Sequence, residues 1–333
     1  MLIKERIHWI DMAKGYGILL VILGHLRTDF IKYEIYTFHM PLFFLLAGYV
    51  FHPEKYTFKE FIKNKLRTLI IPYFFMGFII TIAMWFYHGI FTLKDIIDCT
   101  LQLVIQKRFY SLWFLTCLFI TEILSWGLFK FCKKNKGYVL LVATMIGIMG
   151  LVYYYFGGEA LFWNIDVCMT AIFFFSLGFF IQGLRESEKW KNCIHRKNTL
   201  IIMITLHIFC SVGNYLLCQE RMDMFKCQYG FVPLMTSASL SGIYIVYRIS
   251  LIKNIKYISY LGSHSLIFFG LHNAIIIPLL EKIYFWLNIF QKPVGIELFA
   301  YLLSSMFFVL FTLTIVDLIV RNTRLRFFVG ICS

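Results

Sequence analysis

Apolar runs of about 18 or more residues recur from one end of the chain to the other, and this leaves few folds open. Each run is long enough to cross a hydrocarbon core about 30 Å thick as a helix. With 60% hydrophobic and 15% charged residues and a mean hydropathy of +0.74, the chain exceeds the roughly 45–50% apolar content of a soluble domain. The reading is an all-α, polytopic membrane helix bundle. Ten spans are expected, at 8–30, 37–52, 68–88, 112–130, 138–156, 165–184, 199–217, 231–248, 259–280 and 297–319. The polar stretches between them reach about 20 residues and contain no Pro/Gly/Ser linker, low-complexity tract or internal repeat. A single integral membrane domain, 1–333, is therefore expected, with no separate soluble domain.

Short cytoplasmic loops are enriched in Lys and Arg, which tests the assignment. With the N-terminus inside, 22 of the 32 basic residues fall on inner segments and 9 on outer ones, Lys14 within the first span being the last. Both termini are expected to be cytoplasmic, in a multi-pass protein of the cell membrane. The net charge of +14 then reflects topology and attraction to anionic lipid, without a role for nucleic acid. The first run reads as structure rather than a cleaved signal, because no small-residue cleavage site follows it and Asp11 and Lys14 lie within it. Nine cysteines are scattered without CxxC or Cys/His metal spacing. Cys218 and Cys227 share an expected outer loop, where a disulfide could form.

The polar residues inside these runs carry the functional information. An ionisable group near the bilayer centre costs several kcal/mol unless paired or hydrated, so it faces a bundle interior or a water-filled cavity. In "IDMAKGYGILLVILGHL", residues 10–26, Lys14 and His25 lie eleven positions apart. At about 100° per residue they share a helix face, separated by roughly 16 Å along the axis. Asp11, three residues before Lys14, is close enough for an ion pair. His39 opens the second span and His272 sits in the apolar middle of the ninth, so three helices can bring imidazoles to one cavity. Neutral histidine titrates near physiological pH, which suits proton transfer. Metal binding is the other use of three histidines, but no carboxylate or i, i+4 histidine pair supports it.

At the expected inner surface, "FIKNKLRTLIIPYFF" presents Lys63, Lys65 and Arg67 ahead of Pro72, which should kink the helix near its start. Lys63 and Arg67 are i, i+4 and could clamp a phosphorylated ligand as well as anchor the helix. No Gly-rich phosphate loop is present, so side-chain cations would have to hold such a ligand. On the outer side, Trp113 starts the fourth span, Asp166 the sixth, and Arg221 and Tyr229 flank the loop before the eighth. Asp166, beside Trp163 and Asn164, could accept sugar hydroxyls or orient a histidine. Asp29 follows His25 by one turn and could orient it.

These residues resemble acyltransferase family 3, in its fucose 4-O-acetylase-like branch. "WIDMAKGYGILLVILGH", "FHMPLFFLLAGY", "LWFLTCLF" with Glu122 following, "WNIDVCMTAIFFFSLGFF", "YGFVPLMTSASLSGI" and "LGSHSLIFFGLH" fall in the order and spacing that family uses, over residues 6–320. The resemblance implies a ten-helix enzyme that moves an acyl group, usually acetyl from cytoplasmic acetyl-CoA, to a hydroxyl of an extracytoplasmic or lipid-linked glycan. His25 matches the family's catalytic base. Lys14 stands where the family often has Arg, keeping the charge but losing the bidentate fork. The family's basic pair at the third helix maps loosely onto Lys63 and Arg67, since Thr68 occupies one expected basic position. The resemblance thus implies His25 as base and Lys14, Lys63 and Arg67 toward acetyl-CoA; beside it, Asp11, His39, Trp113, Glu122, Asp166, Arg221 and His272 are read in supporting or acceptor roles. No metal is expected. The rival reading is a secondary transporter or glycan exporter with a buried proton relay, which predicts discontinuous helices and repeat symmetry.

Overall fold

The computed structural model describes residues 8–89 and 92–330, with the side chains of Asp29, Phe30 and His88 left out. The described residues are helical throughout, joined by turns, with an isolated antiparallel bridge between Asp223 and Gln228. The chain runs through α1 (His8–His25), α2 (Asp29–Tyr36), α3 (His39–Tyr49), α4 (Phe58–Lys65), α5 (Ile71–His88), α6 (Leu93–Ile105) and α7 (Trp113–Phe131). It continues through α8 (Lys136–Tyr155), α9 (Ile165–Leu184), α10 (Glu188–His195), α11 (Lys197–Cys218) and α12 (Val232–Ser250). The last part comprises α13 (Lys256–Ser263), α14 (Ser265–Leu271), α15 (Ile277–Trp286) and α16 (Gly295–Asn322).

Among the described residues, 7 helices are long and apolar enough to cross a membrane. Six of them correspond to expected spans, closely in α7, α8, α9, α11 and α16, and six residues later than expected in the α14–α15 stretch. The seventh, Phe58–Tyr87, starts ten residues before the expected 68–88, because α4 runs into α5 through one π-helical turn, Leu66–Ile70. Lys63, Lys65 and Arg67 are therefore part of the helix rather than of a loop ahead of it. The π turn ends two residues before Pro72, whose missing N–H and bulky ring disfavour regular α-helical bonding there.

Segments 8–30, 37–52 and 231–248 are helical but are not among the seven. The first ends at His25 and gives way to the separate helix α2. Within 37–52 lies α3, an 11-residue helix about 16 Å long, half the thickness of a hydrocarbon core. Its run His39–Leu46 is buried at every position. The apolar character of α3 therefore answers to protein neighbours and not to lipid. Two glycines set this packing, since a Cβ at Gly48 would lie 1.8 Å from the Phe175 carbonyl oxygen of α9, and one at Gly178 would lie 2.0 Å from that of Leu45. A second close crossing joins α1 to α13, with Gly262 against the Asp11 carbonyl. The expected span 259–280 is discontinuous: it breaks at His264 and passes through a second π turn, His272–Ile276, ahead of Pro278.

Burial separates the apolar helices into central and peripheral ones. The apolar window of α9 is 61% buried inside the protein and that of α11 only 17%, so α9 forms the middle of the bundle and α11 its rim.

Candidate active site

The C-terminal end of α1, the start of α3 and the π turn after α14 bring three histidines together. His25 Nδ1 lies 2.8 Å from the Val21 carbonyl oxygen, one turn back on its own helix. A carbonyl only accepts, so in the neutral ring the proton sits on Nδ1 and the lone pair on Nε2. His272 is fixed in the same way, its Nδ1 donating to the Phe268 and Phe269 carbonyls at 3.0 and 2.9 Å. The His272 Nε2 lone pair then meets His25 Nδ1 at 3.3 Å, with the rings edge to face at 80°. His272 thus reinforces the tautomer of His25. His39 repeats the arrangement alone, with Nδ1 donating to the Ile35 carbonyl at 2.9 Å.

His25 and His39 line a cavity of about 400 Å³, closed on other sides by Tyr36, Arg108, Trp113 and Asn273. Tyr36 stands between the two imidazoles, its ring centre 6.1 Å from that of His25 and 4.8 Å from that of His39. The Arg221 guanidinium lies over the Tyr36 ring at 4.2 Å and donates to Asp223 at 2.9 Å. Asp223 also accepts from the Phe225 backbone N–H, so this carboxylate closes the loop before α12 while facing the cavity.

A second acid lies behind Arg108. Asp166 pairs with the Arg108 guanidinium and accepts from the Leu161 N–H at 3.2 Å. Asn164 Oδ1 accepts from both the backbone and side chain of Arg108, each at 3.3 Å. The loop that carries Arg108 is left-handed at Gln106, Arg108 and Tyr110, with φ of 49°, 61° and 43°. Each such non-glycine residue costs on the order of 1–2 kcal/mol, and the pairs to Asp166 and Asn164 hold the loop in place. Cys218 and Cys227, which share a loop where a disulfide could form, are not bridged: both thiols are free, and Cys227 Sγ sits 3.3 Å from Arg108 and 3.4 Å from Asp166. Burial pushes the Cys227 thiol up to about 11.

The expected inner group lies apart from this cavity. Lys65 Nζ pairs with Glu122 at 2.8 Å, and Lys14 is close enough for its charge to act on that carboxylate. Glu122, read among the supporting or acceptor residues, therefore belongs with the inner cations. Arg67 stacks on Phe327 at 5.4 Å, with its Nε buried and without a hydrogen bond. Lys63 is exposed, and Asp11 is half-buried in the first turn of α1. The Asp29 side chain lies outside the described residues. Arg108, Tyr36, Asp223 and Asn273 escaped sequence reasoning. Arg108 registered there only as one more outer positive charge, and the polar "HN" pair within an apolar run was the available signal for Asn273. Among the described residues, no group of three His, Cys, Asp or Glu side chains is placed to hold a metal ion.

A family model described as an acyltransferase domain matches residues 7–321. The chain belongs to acyltransferase family 3. It is thus a multi-pass membrane acyltransferase by family and by its apolar helices. No curated protein and no solved structure matches it. The match runs through all three histidine-bearing segments, so this family domain contains the whole cavity.

Proposed function

We propose that the protein is a membrane O-acyltransferase of the fucose 4-O-acetylase-like branch, moving acetyl from cytoplasmic acetyl-CoA to a hydroxyl of an extracytoplasmic or lipid-linked glycan. The observation that carries this reading is His25, on a cavity wall with its Nδ1 proton committed to Val21 and His272 and its Nε2 lone pair left as a base. In the proposed step Nε2 takes the acceptor hydroxyl proton while the oxygen attacks the thioester carbonyl carbon. The tetrahedral oxyanion collapses, the C–S bond breaks, and the imidazolium returns its proton to the departing thiolate, giving the ester and free CoA. Tyr36 and Asn273 line the same cavity and supply donors for the oxyanion. Direct transfer needs no acylated side chain.

Lys14, Lys63 and Arg67 then hold the CoA phosphates at the inner end, and the pantetheine arm covers the roughly 16 Å of α1 between Lys14 and His25. The ten-segment topology with both termini cytoplasmic, in the cell membrane, belongs to this proposal. It counts α3 as a short, protein-enclosed crossing and is supported by the 22 basic residues on inner segments against 9 on outer ones. Acceptor glycan and membrane lipid are the partners expected, with no nucleic acid.

The break at His264 favours one second reading, a glycan exporter with a proton relay. One experiment separates them: transfer of radiolabelled acetyl from acetyl-CoA to endogenous glycan, in membranes carrying matched amounts of wild type or His25→Ala. Base-labile label with wild type that is lost in the variant is the expected result. Label absent from both, with folded protein and the native glycans present, would overturn the acetyl-CoA donor or the glycan acceptor; undiminished label in the variant would remove His25 from the reaction.

A further inference from the structure

Beside the histidine cavity lies a second one of about 260 Å³, and Arg108 lines both. Its volume corresponds to on the order of ten heavy atoms. The Arg108–Asp166 pair and the Cys227 thiol form one wall, and Tyr153, Tyr154 and Lys226 surround the rest. Aromatic residues at this depth commonly belong to the interfacial belt, and Tyr155 and Phe156, 84% and 80% exposed, fit that description. Tyr153 differs from them. Its hydroxyl donates to the Glu159 carbonyl at 2.9 Å, and its ring lies so close to Gly158 that a Cβ there would come within 2.3 Å of it. Tyr154 rests edge-on against Tyr229 at 6.1 Å, and the Tyr229 hydroxyl bonds Thr170 at 2.6 Å. The cavity therefore offers held aromatic faces together with a carboxylate and two cations. That combination suits a ring with apolar C–H faces and a rim of hydroxyls.

We propose that this second cavity is a subsite for the sugar residue next to the one acylated. The inference rests on the glycan reading above. Arg108, shared by the two cavities, sets the spacing between the neighbouring residue and the reacting hydroxyl, and Asp166 accepts from the hydroxyls of the neighbouring ring.

The test is protection of a thiol placed in the cavity wall by Ala160→Cys, in full-length protein with Cys99, Cys193, Cys218 and Cys332 replaced by Ser. Maleimide labelling is followed with mono- to tetrasaccharides cut from the host's own envelope glycan. Disaccharides and longer fragments should slow labelling about tenfold at concentrations where the monosaccharide does not, an effect worth roughly 1.4 kcal/mol. Tyr153→Phe should keep the protection and Tyr153→Ala should lose it. Should Ala160→Cys fail to fold, Lys226→Cys reports from the cavity mouth. Equal protection by the monosaccharide, or none by any fragment, overturns the proposal. Labelled acetyl transfer is measured separately in the same membranes: its absence with protection intact would sink the transfer reading and leave the subsite standing.

Discussion

The two ends of α1 handle charge in opposite ways. At its C-terminal end, polar groups converge on one cavity, and each imidazole is locked by a backbone carbonyl one turn away. Near its N-terminal end, where the Lys14 charge reaches Glu122, the cations are dispersed: Lys65 is neutralised by Glu122, Arg67 lies on a phenyl ring, and Lys63 faces outward. Fixed orientation suits bond making, where geometry within a fraction of an ångström matters. Dispersed cations suit capture of a polyanion, where charge matters more than direction. On the proposed reading, one helix serves a reaction at one end and a binding step at the other.

Five outcomes would break or sharpen this contrast. The largest effect is expected for His25→Ala, which should lower kcat by about 10³-fold with little change in KM for acetyl-CoA, measured as initial rates of labelled acetyl transfer. His272→Ala should cost about 10²-fold in kcat, because His25 loses the partner that reinforces its tautomer. A shifted pH–rate profile in that variant would show that His272 acts through His25, whereas a merely structural residue would leave the profile in place. At the other end, Lys63→Ala with Arg67→Ala should raise KM for acetyl-CoA about tenfold at unchanged kcat, and added salt should raise the wild-type KM in the same direction. A fall in kcat instead would erase the division between the two ends. The smallest effect is expected for Cys218→Ser or added reductant, which should leave thermal stability within about 0.5 kcal/mol. Cys227, its thiol pushed up to about 11, should resist alkylation at neutral pH in the folded protein.

Much of the framework was legible because lipid and bundle interior impose a simple rule on composition. Helices α7, α8, α9, α11 and α16 stand close to where the apolar runs put them. At 37–52 the same rule says less, since hydropathy cannot distinguish a helix enclosed by protein, as α3 is, from one enclosed by lipid. His25, His39 and His272 were legible as site candidates for a related reason, because a titratable ring in an apolar run must be compensated. Arg108 and Asp166 were harder: their pairing spans 58 residues, and three left-handed residues aim the loop, a backbone state that no periodicity announces.

The sequence by itself determined the all-helical class, the membrane setting, the family and the three histidines, because each rests on local composition or on spacing along one helix. Only the tertiary structure decided that His272 faces His25, that Glu122 belongs with Lys65, and that Cys227 meets Arg108 and Asp166 rather than Cys218. Those contacts join residues far apart in the chain, and close helix crossings such as that of Gly48 on Phe175 fix which faces meet.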